Sequence, residues 1–192
     1  MPDLRFTEIE HKYVVDAQFD LPRFREVLVS LSPTRTGAIR VRDRYYLTES
    51  GRARRFVIRH RYDAEIHQLT IKALEDDTET RREINLGLSR HDGSQEAAVD
   101  AFLDHMGVVW RDTVQKDLEV WYFPDCEVVY YAASTDAREV RCVEFEATHK
   151  DSPAGALEVI ERFERATGFE RAVRSRVSLP QILFPELRDH LR

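Results

Sequence analysis

The chain has 192 residues, of which 42% are hydrophobic and 33% charged, and its 35 acidic and 29 basic side chains give a formal net charge of −6. This length and apolar fraction favour a single domain, 1–192, with a real core, and they exclude a disordered chain. No apolar run approaches the ~20 residues that a membrane span needs, no apolar signal core follows Met1, and the acidic balance does not favour a broad nucleic-acid face. We therefore expect a cytoplasmic monomer or homodimer whose partner is neither a membrane nor a nucleic acid.

Alternation of polar and apolar residues predicts eight β-strands, because successive side chains of a strand point to opposite faces. The predicted strands cover 7–15, 39–46, 54–62, 68–74, 80–86, 108–123, 126–132 and 140–148. Short polar connections such as 75–78 and 123–125 suit hairpins rather than parallel crossovers. The predicted fold class is therefore α+β with a mainly antiparallel sheet.

Helices are predicted where an N-capping residue precedes an apolar stripe. The caps are Asp20, Ser94 and Ser152, and the helices cover 21–31, 95–106 and 153–167, with a short helix after 178. The two cysteines, Cys126 and Cys142, have no metal or redox spacing and are expected in the core.

Each strand carries ionic residues on one face and apolar residues on the other. The ionic sets are Glu8/Glu10/Lys12, Arg55/Arg59/Arg61, Gln68/Thr70/Lys72, Arg81/Glu83/Asn85, Lys116, and Cys142/Glu144/Glu146. One interpretation is an open sheet whose ionic face meets water. The glutamate pairs weigh against it, because like charges two residues apart, at ~6–7 Å, repel by roughly 2 kcal/mol at an effective dielectric of ~20.

A barrel with its ionic faces inward would bring both glutamate pairs together with the lysines and arginines. Such a lumen would need a divalent cation and an anionic ligand to balance it. Carboxylates select hard ions such as Mg²⁺ or Mn²⁺, which also bind phosphates.

Arginine makes up 25 of the 29 basic residues, and eight arginines lie between Arg40 and Arg61 against only Asp43 and Glu49. The guanidinium fork matches phosphate oxygens, so this segment indicates either a site for a multiply charged anion or a solvated surface.

The segment Glu8-Ile9-Glu10-His11-Lys12 resembles the Glu-x-Glu-x-Lys signature of the CYTH, or triphosphate tunnel metalloenzyme, superfamily. Other segments resemble the family's motifs in the same order: Asp43-Arg44-Tyr45-Tyr46, Ile58-Arg59-His60-Arg61, Leu69-Thr70-Ile71-Lys72, Arg81-Arg82-Glu83, Gln115-Lys116 and Val143-Glu144-Phe145-Glu146. The resemblance covers about residues 5–184. It implies an eight-stranded antiparallel β-barrel, or tunnel, with flanking helices, which binds a triphosphate-containing small molecule.

The resemblance also implies roles for individual residues. The implied metal ligands, for Mg²⁺ or Mn²⁺, are Glu8, Glu10, Glu144 and Glu146. The implied substrate-binding residues are Lys12, Arg59, Arg61, Lys72, Arg81 and Lys116, and the implied catalytic residues are Glu8, Glu10, Lys12 and Lys72. Glu83 is expected either to join this machinery or to form only a salt bridge.

The chain also departs from the family pattern. Leu47 stands at an aspartate position, Leu118 at an arginine position, and Tyr131-Ala132-Ala133 where an aspartate is common. Arg174 or Arg176 is expected either to supply a substitute cation or to be exposed, and Trp110 and Trp121 either pack in the core or stack on an organic base.

Three functions remain open at this point. The first is a metal-dependent hydrolase of inorganic tripolyphosphate or a small organic triphosphate. The second is a class IV-type adenylate cyclase that converts ATP to cyclic AMP and diphosphate. The third is a non-catalytic module that binds a polyphosphate or nucleotide.

Overall fold

The computed structural model describes residues 7–74, 80–90, 93–148 and 152–191, and these contain eight strands and six helices. In chain order the elements are β1 Thr7–Val15, α1 Leu21–Ser30, β2 Arg35–Thr48, α2 Glu49–Arg54, β3 Phe56–Tyr62, β4 His67–Ala73, β5 Thr80–Gly87, α3 Glu96–Asp104, β6 Val108–Tyr122, β7 Cys126–Ser134, β8 Glu139–Ala147, α4 Pro153–Thr167, α5 Leu179–Leu183 and α6 Leu187–His190. None of the described helices is long and apolar enough to cross a membrane.

The eight strands form a closed barrel in the order β1-β5-β4-β3-β2-β6-β7-β8, and every neighbouring pair is antiparallel. β1 closes the barrel, since its first part pairs with β5 and its second part, from Glu10 onward, pairs with β8. The prediction of an eight-stranded antiparallel barrel with flanking helices is confirmed. The predicted hairpin at 123–125 joins β6 to β7, whereas the one at 75–78 lies outside the described residues.

The apolar faces of the strands point outward, where helices cover them. α1 and α4 pack on β1, β7 and β8 through a core that includes Phe24, Leu28, Phe145, Ile160 and Phe163, and α3 covers a smaller core that includes Tyr46 and Leu103. Full burial of side chains of this size stabilises the fold by roughly 1.5–3 kcal/mol each. The open-sheet interpretation is therefore wrong, because the helices take the apolar faces and leave the ionic faces inside.

One end of the barrel is filled by apolar side chains and the C-terminal helices. Leu179 and Leu183 of α5 and Leu187 of α6 pack in one cluster with inward-facing residues such as Val57 and Leu74. The short helix expected after Ser178 is confirmed, and it contributes to the interior of the barrel. Both cysteines are fully buried, as predicted.

Two local predictions need correction. Ser94 does not cap α3, because the chain enters the helix through Gln95 in the left-handed region (φ 52°), with no side-chain cap. α2 was not predicted: the Thr48 hydroxyl caps it by accepting a hydrogen bond from Gly51 N at 3.0 Å. Arg55 ends α2 in the left-handed region (φ 55°), so β3 begins at residue 56 instead of 54.

Candidate functional site

The inward faces of the strands enclose a cavity of about 350 Å³, within the range of ~300–1,000 Å³ typical of small-molecule sites. The cavity is lined by all the site residues predicted from the sequence: Glu8, Glu10, Lys12, Arg59, Arg61, Lys72, Arg81, Lys116, Glu144 and Glu146. Ser178, Leu179 and Pro180 also line it, at the end that α5 occupies. The structure thus brings the whole predicted set together in one place.

Local burial explains why β1 presents its ionic face to the cavity. Ile9, His11 and Tyr13 are 0–2% exposed, and Ile9 and Tyr13 pack in the core that α4 shares. Glu8, Glu10 and Lys12 alternate with them and therefore point inward, because a one-residue slip would place the whole apolar set in the cavity.

The charges that line the cavity are equal in number. Six lining side chains are basic, and six are carboxylates, since Glu83 and Glu127 join the four predicted glutamates. Formal charge within the lining is therefore balanced by number alone, and the expectation that a divalent cation and an anionic ligand occupy the lumen stays a prediction. Individual buried atoms in the cavity nevertheless lack a hydrogen-bond partner among the described residues.

Lys12 bridges the two predicted acidic pairs. Its Nζ atom lies 3.0 Å from Glu10 Oε1 and 3.1 Å from Glu144 Oε1, and Arg81 Nη1 lies 3.1 Å from the same Glu10 oxygen. Although burial raises the pKa of Glu10, the charges of Lys12, Lys72 and Arg81 lower it to about 2. These carboxylates therefore hold Lys12 and Arg81 in place as cations.

Lys72 forms a second bridge, between Glu8 and Glu83. Its Nζ atom lies 2.9 Å from Glu8 Oε1 and 2.8 Å from Glu83 Oε2. Arg59 is held more loosely: its Nη2 donates to Thr70 Oγ1 at 3.2 Å and lies 3.8 Å from Glu83 Oε1. Glu83, whose part the sequence left open, is therefore an ion-pair partner of the cavity cations.

Asp43 holds the remaining two cations. Arg61 donates from Nε and Nη2 to the two carboxylate oxygens of Asp43 at 2.7 and 2.8 Å. Lys116 Nζ lies 2.7 Å from Asp43 Oδ2. Burial raises the pKa of Asp43, but Arg61 and Lys116 lower it well below the usual value. Sequence reasoning did not select Asp43 as a site residue; the available signal was its place in the Asp-x-Tyr-Tyr resemblance.

Carboxylates from three adjacent strands lie in one row across the barrel. Glu10 is directly opposite Glu146, and Glu146 is directly opposite Glu127, an arrangement that destabilises a sheet unless a cation compensates it. Sequence reasoning missed Glu127, although the alternation Glu127, Val129, Tyr131 in the predicted strand places it on the inward face.

These carboxylates offer a donor set that fits a hard divalent cation, because they supply oxygen ligands only. Glu8 Oε2 is buried and has no hydrogen-bond partner among the described residues, and burial followed by the charge of Glu10 raises the pKa of Glu8 well above its usual value. As they stand, no three His, Cys, Asp or Glu side chains of the described residues converge closely enough to hold a metal. A bound ion would require Lys12 or Lys72 to release the carboxylates that they bridge.

In each of two buried guanidinium groups, one N–H lacks an acceptor. The Nε atoms of Arg59 and Arg81 have no hydrogen-bond partner among the described residues, and both side chains are 6% exposed. A buried N–H group without an acceptor costs about 1–3 kcal/mol. The same cavity thus contains two N–H donors without an acceptor and, in Glu8 Oε2, a carboxylate oxygen without a hydrogen-bond partner among the described residues.

The family departures have structural counterparts. The Tyr131 hydroxyl donates to Glu144 Oε1 at 2.7 Å, in the region where the family's aspartate is absent, and Leu118 lines the cavity wall. Neither Arg174 nor Arg176 lines this cavity: Arg174 contacts Glu164 outside the barrel, and Arg176 is exposed. The expectation of a substitute cation is therefore wrong, and exposure is confirmed for Arg176.

The arginine-rich segment 40–61 does not form a single site. Arg59 and Arg61 line the cavity, whereas Arg42 and Arg44 contact Glu96 of α3. The remaining arginines of the segment are largely exposed: Arg40, Arg52, Arg54 and Arg55. The tryptophans lie outside the cavity too, since Trp110 packs against Phe184 and Trp121 against Phe24.

No protein-family model matches the chain, and no curated protein matches its sequence. Solved structures do match. The PH1012 protein from Pyrococcus horikoshii OT3 has a TM-score of 0.69 and 15% identity, over 92% of this chain and 99% of that chain. A candidate adenylate cyclase from Bacillus halodurans has a TM-score of 0.60 and 17% identity, over 93% and 99%. A candidate adenylyl cyclase from Hippeastrum, described as having a dominant triphosphatase activity, has a TM-score of 0.59 and 14% identity, over 95% of each chain. At identities of 14–17%, these likenesses show that the chain shares the fold of these proteins.

Proposed function

We propose that the cavity binds a triphosphate-containing small molecule and that the protein hydrolyses it, with tripolyphosphate or a small organic triphosphate as substrate. The observation that carries this proposal is the presence of unpaired polar atoms of both kinds in one cavity: Arg59 Nε and Arg81 Nε have no acceptor, and Glu8 Oε2 has no hydrogen-bond partner among the described residues. A phosphate chain with a divalent cation supplies both.

The basic side chains would bind the phosphate oxygens. Arg59 and Arg81 present forks suited to phosphate, and Lys12 and Lys72 would exchange their carboxylate partners for phosphate oxygens. Since all six basic side chains that line the cavity already converge on about 350 Å³, little ordering cost remains when the substrate binds. Phosphoryl transfer depends mainly on positioning and on neutralising charge at the phosphoryl oxygens, and this set would supply both.

The residues that would hold Mg²⁺ or Mn²⁺ are Glu8, Glu10, Glu144 and Glu146. A divalent cation bound there would supply Lewis-acid stabilisation of charge at the phosphoryl group. Glu83 and Asp43 would keep the neighbouring cations oriented, because each contacts two of them within 4 Å.

Phosphate release from tripolyphosphate, thiamine triphosphate and nucleoside triphosphates, each with Mg²⁺ and with Mn²⁺, tests the proposal. We expect release from at least one triphosphate, and a loss of at least about 100-fold in Glu10→Ala and Lys72→Ala. Arg40→Gln is the matched control, because Arg40 is an exposed cation on the outside of the barrel and its variant should retain full activity. Absence of release from every triphosphate would overturn the hydrolase.

A cyclase is the second candidate, favoured by the likeness in fold to the candidate adenylate cyclase from Bacillus halodurans. Product analysis with ATP separates the two activities, since a cyclase yields cyclic AMP and diphosphate in equal amounts and a hydrolase yields ADP with phosphate or AMP with diphosphate. Metal-dependent binding without any product on long incubation would instead assign a binding module.

A further inference from the structure

A second ionic cluster is buried outside the barrel, behind β1. Its centre is Glu164 of α4, which is 1% exposed. One carboxylate oxygen of Glu164 lies 2.5 Å from His11 Nδ1 and accepts a hydrogen bond from the Tyr13 hydroxyl. The other oxygen lies 3.3 Å from Arg174 Nη2. A single side chain of α4 thus contacts two residues of β1 and the segment that follows α4.

The surroundings of this carboxylate are otherwise apolar. α4 packs on the barrel through Ile160 and Phe163, and Tyr13 contacts the rings of Phe145 and Phe169. Burying a carboxylate in such surroundings costs several kcal/mol before its partners compensate, and apolar residues of similar volume often serve stability as well or better. Net stability is therefore a weak account of Glu164, and its contacts point instead to the geometry of the elements that it joins.

One of the elements that Glu164 contacts, β1, also lines the cavity. His11 and Tyr13 flank Lys12, so the two contacts to Glu164 hold β1 on either side of the residue whose ammonium bridges Glu10 and Glu144. Because side chains alternate along a strand, fixing the outer face also fixes the direction of the inner side chain.

The segment 174–176 makes a second connection. Ser175 N donates to the main-chain oxygen of Lys12 at 2.7 Å, and Arg81 Nη2 donates to the main-chain oxygen of Arg176 at 2.7 Å. This segment is therefore attached to the α4 carboxylate on one side and to two cavity residues on the other, immediately before the residues of α5 that line the cavity.

We propose that Glu164 is a positioning residue for the cavity, which acts by holding β1 and segment 174–176 so that Lys12 is aimed at the bound triphosphate. This inference rests on the proposed function. A displacement of ~1 Å in a positioned group can cost ~100-fold in rate, so a side chain outside the barrel can control binding and turnover inside it.

The test is a double-mutant cycle read by calorimetric titration with tripolyphosphate and Mg²⁺. Glu164→Gln retains the shape of the side chain and removes its charge. We expect this variant to weaken binding by about tenfold. The double variant with Lys12→Met should lose at least about threefold less affinity than the product of the two single losses, because contacts that act through one another are not additive. Unchanged affinity in Glu164→Gln, or losses that multiply, would overturn the proposal.

A matched control and a second measurement separate positioning from general destabilisation. Arg162→Gln removes an ion pair from the same helix, with Asp125 at 2.7 Å and the Arg162 side chain 55% exposed, and it should change neither affinity nor exchange. Amide hydrogen exchange of Ser175 should be faster in Glu164→Gln than in the wild type. If the wild type binds no triphosphate, the proposed function fails, and the Ser175 exchange rate alone then decides whether Glu164 holds this segment: an unchanged rate rejects it.

Discussion

Replacing Asp43 by asparagine should destabilise the protein strongly, because it leaves two buried cations without their anion. Asp43 is fully buried, accepts two hydrogen bonds from Arg61 at 2.7 and 2.8 Å, and forms an ion pair with Lys116 Nζ at 2.7 Å. Hydrogen bonds to charged groups contribute about 1.5–3 kcal/mol each, so the two from Arg61 sum to roughly 3–6 kcal/mol before compensation. In the variant, the asparagine side chain keeps a single acceptor oxygen and has no charge.

We therefore expect Asp43→Asn to lower the free energy of unfolding by about 3–5 kcal/mol, the usual cost of breaking a buried ion pair from one side. For a chain of this length each kcal/mol corresponds to ~2–4 °C in Tm, so Tm should fall by about 6–20 °C. Urea denaturation gives the free energy, and calorimetry gives Tm.

The matched control is Asp117→Asn. Asp117 Oδ1 also lies 2.7 Å from an arginine Nε, that of Arg40, but the two side chains are 66% and 82% exposed. Because solvent screens such a pair, the urea midpoint of this variant should not change. A loss of less than about 1 kcal/mol in Asp43→Asn, or equal losses in the two variants, would refute the claim that burial makes the Asp43 cluster important.

Three further predictions follow from the same geometry. The pKa of Asp43 is lowered in the folded state. The ionised carboxylate therefore stabilises the fold fully above the unfolded pKa of ~3.9, and this stabilisation is lost as the pH falls below that value. Urea midpoints should fall more steeply below about pH 4 in the wild type than in Asp43→Asn. Gly51→Ala should destabilise by about 1–3 kcal/mol, because an added Cβ would lie 2.6 Å from the main-chain oxygen of Phe56, whereas Gly87→Ala, with nothing within 4 Å, should leave the urea midpoint nearly unchanged. EDTA should abolish phosphate release and excess Mg²⁺ should restore it; release that persists in EDTA would contradict a metal-dependent reaction.

The alternation of polar and apolar residues along the sequence was sufficient to predict that the strands exist. Alternation along 7–15 predicts both the strand and its two faces: Ile9 and Tyr13 pack in the core that α4 shares, and Glu8, Glu10 and Lys12 line the cavity. The repulsion between Glu8 and Glu10 favoured an inward ionic face with cationic partners over an open sheet, without deciding between the two. The short helix α2 escaped prediction because six residues hold too little periodicity to reveal it.

Contacts between residues that are distant in the sequence could not be predicted from the alternation of polar and apolar residues. The meeting of Asp43 with Lys116 depends on how β2 and β6 are staggered, and alternation specifies a face without specifying register. The row formed by Glu127 and Glu146 likewise arises from the pairing of β7 with β8. Leu179 reaches the cavity only because the C-terminal helices pack against one end of the barrel.

The most direct test of the central claim is a calorimetric titration of tripolyphosphate into the wild type and into Arg59→Met, each with and without Mg²⁺. Arg59 carries a buried Nε–H without an acceptor, so a phosphate ligand should depend on it. The account predicts one triphosphate per chain, affinity that increases with Mg²⁺, and a loss of at least about tenfold in Arg59→Met. Absence of binding to the wild type, or equal affinity in the variant, would contradict it.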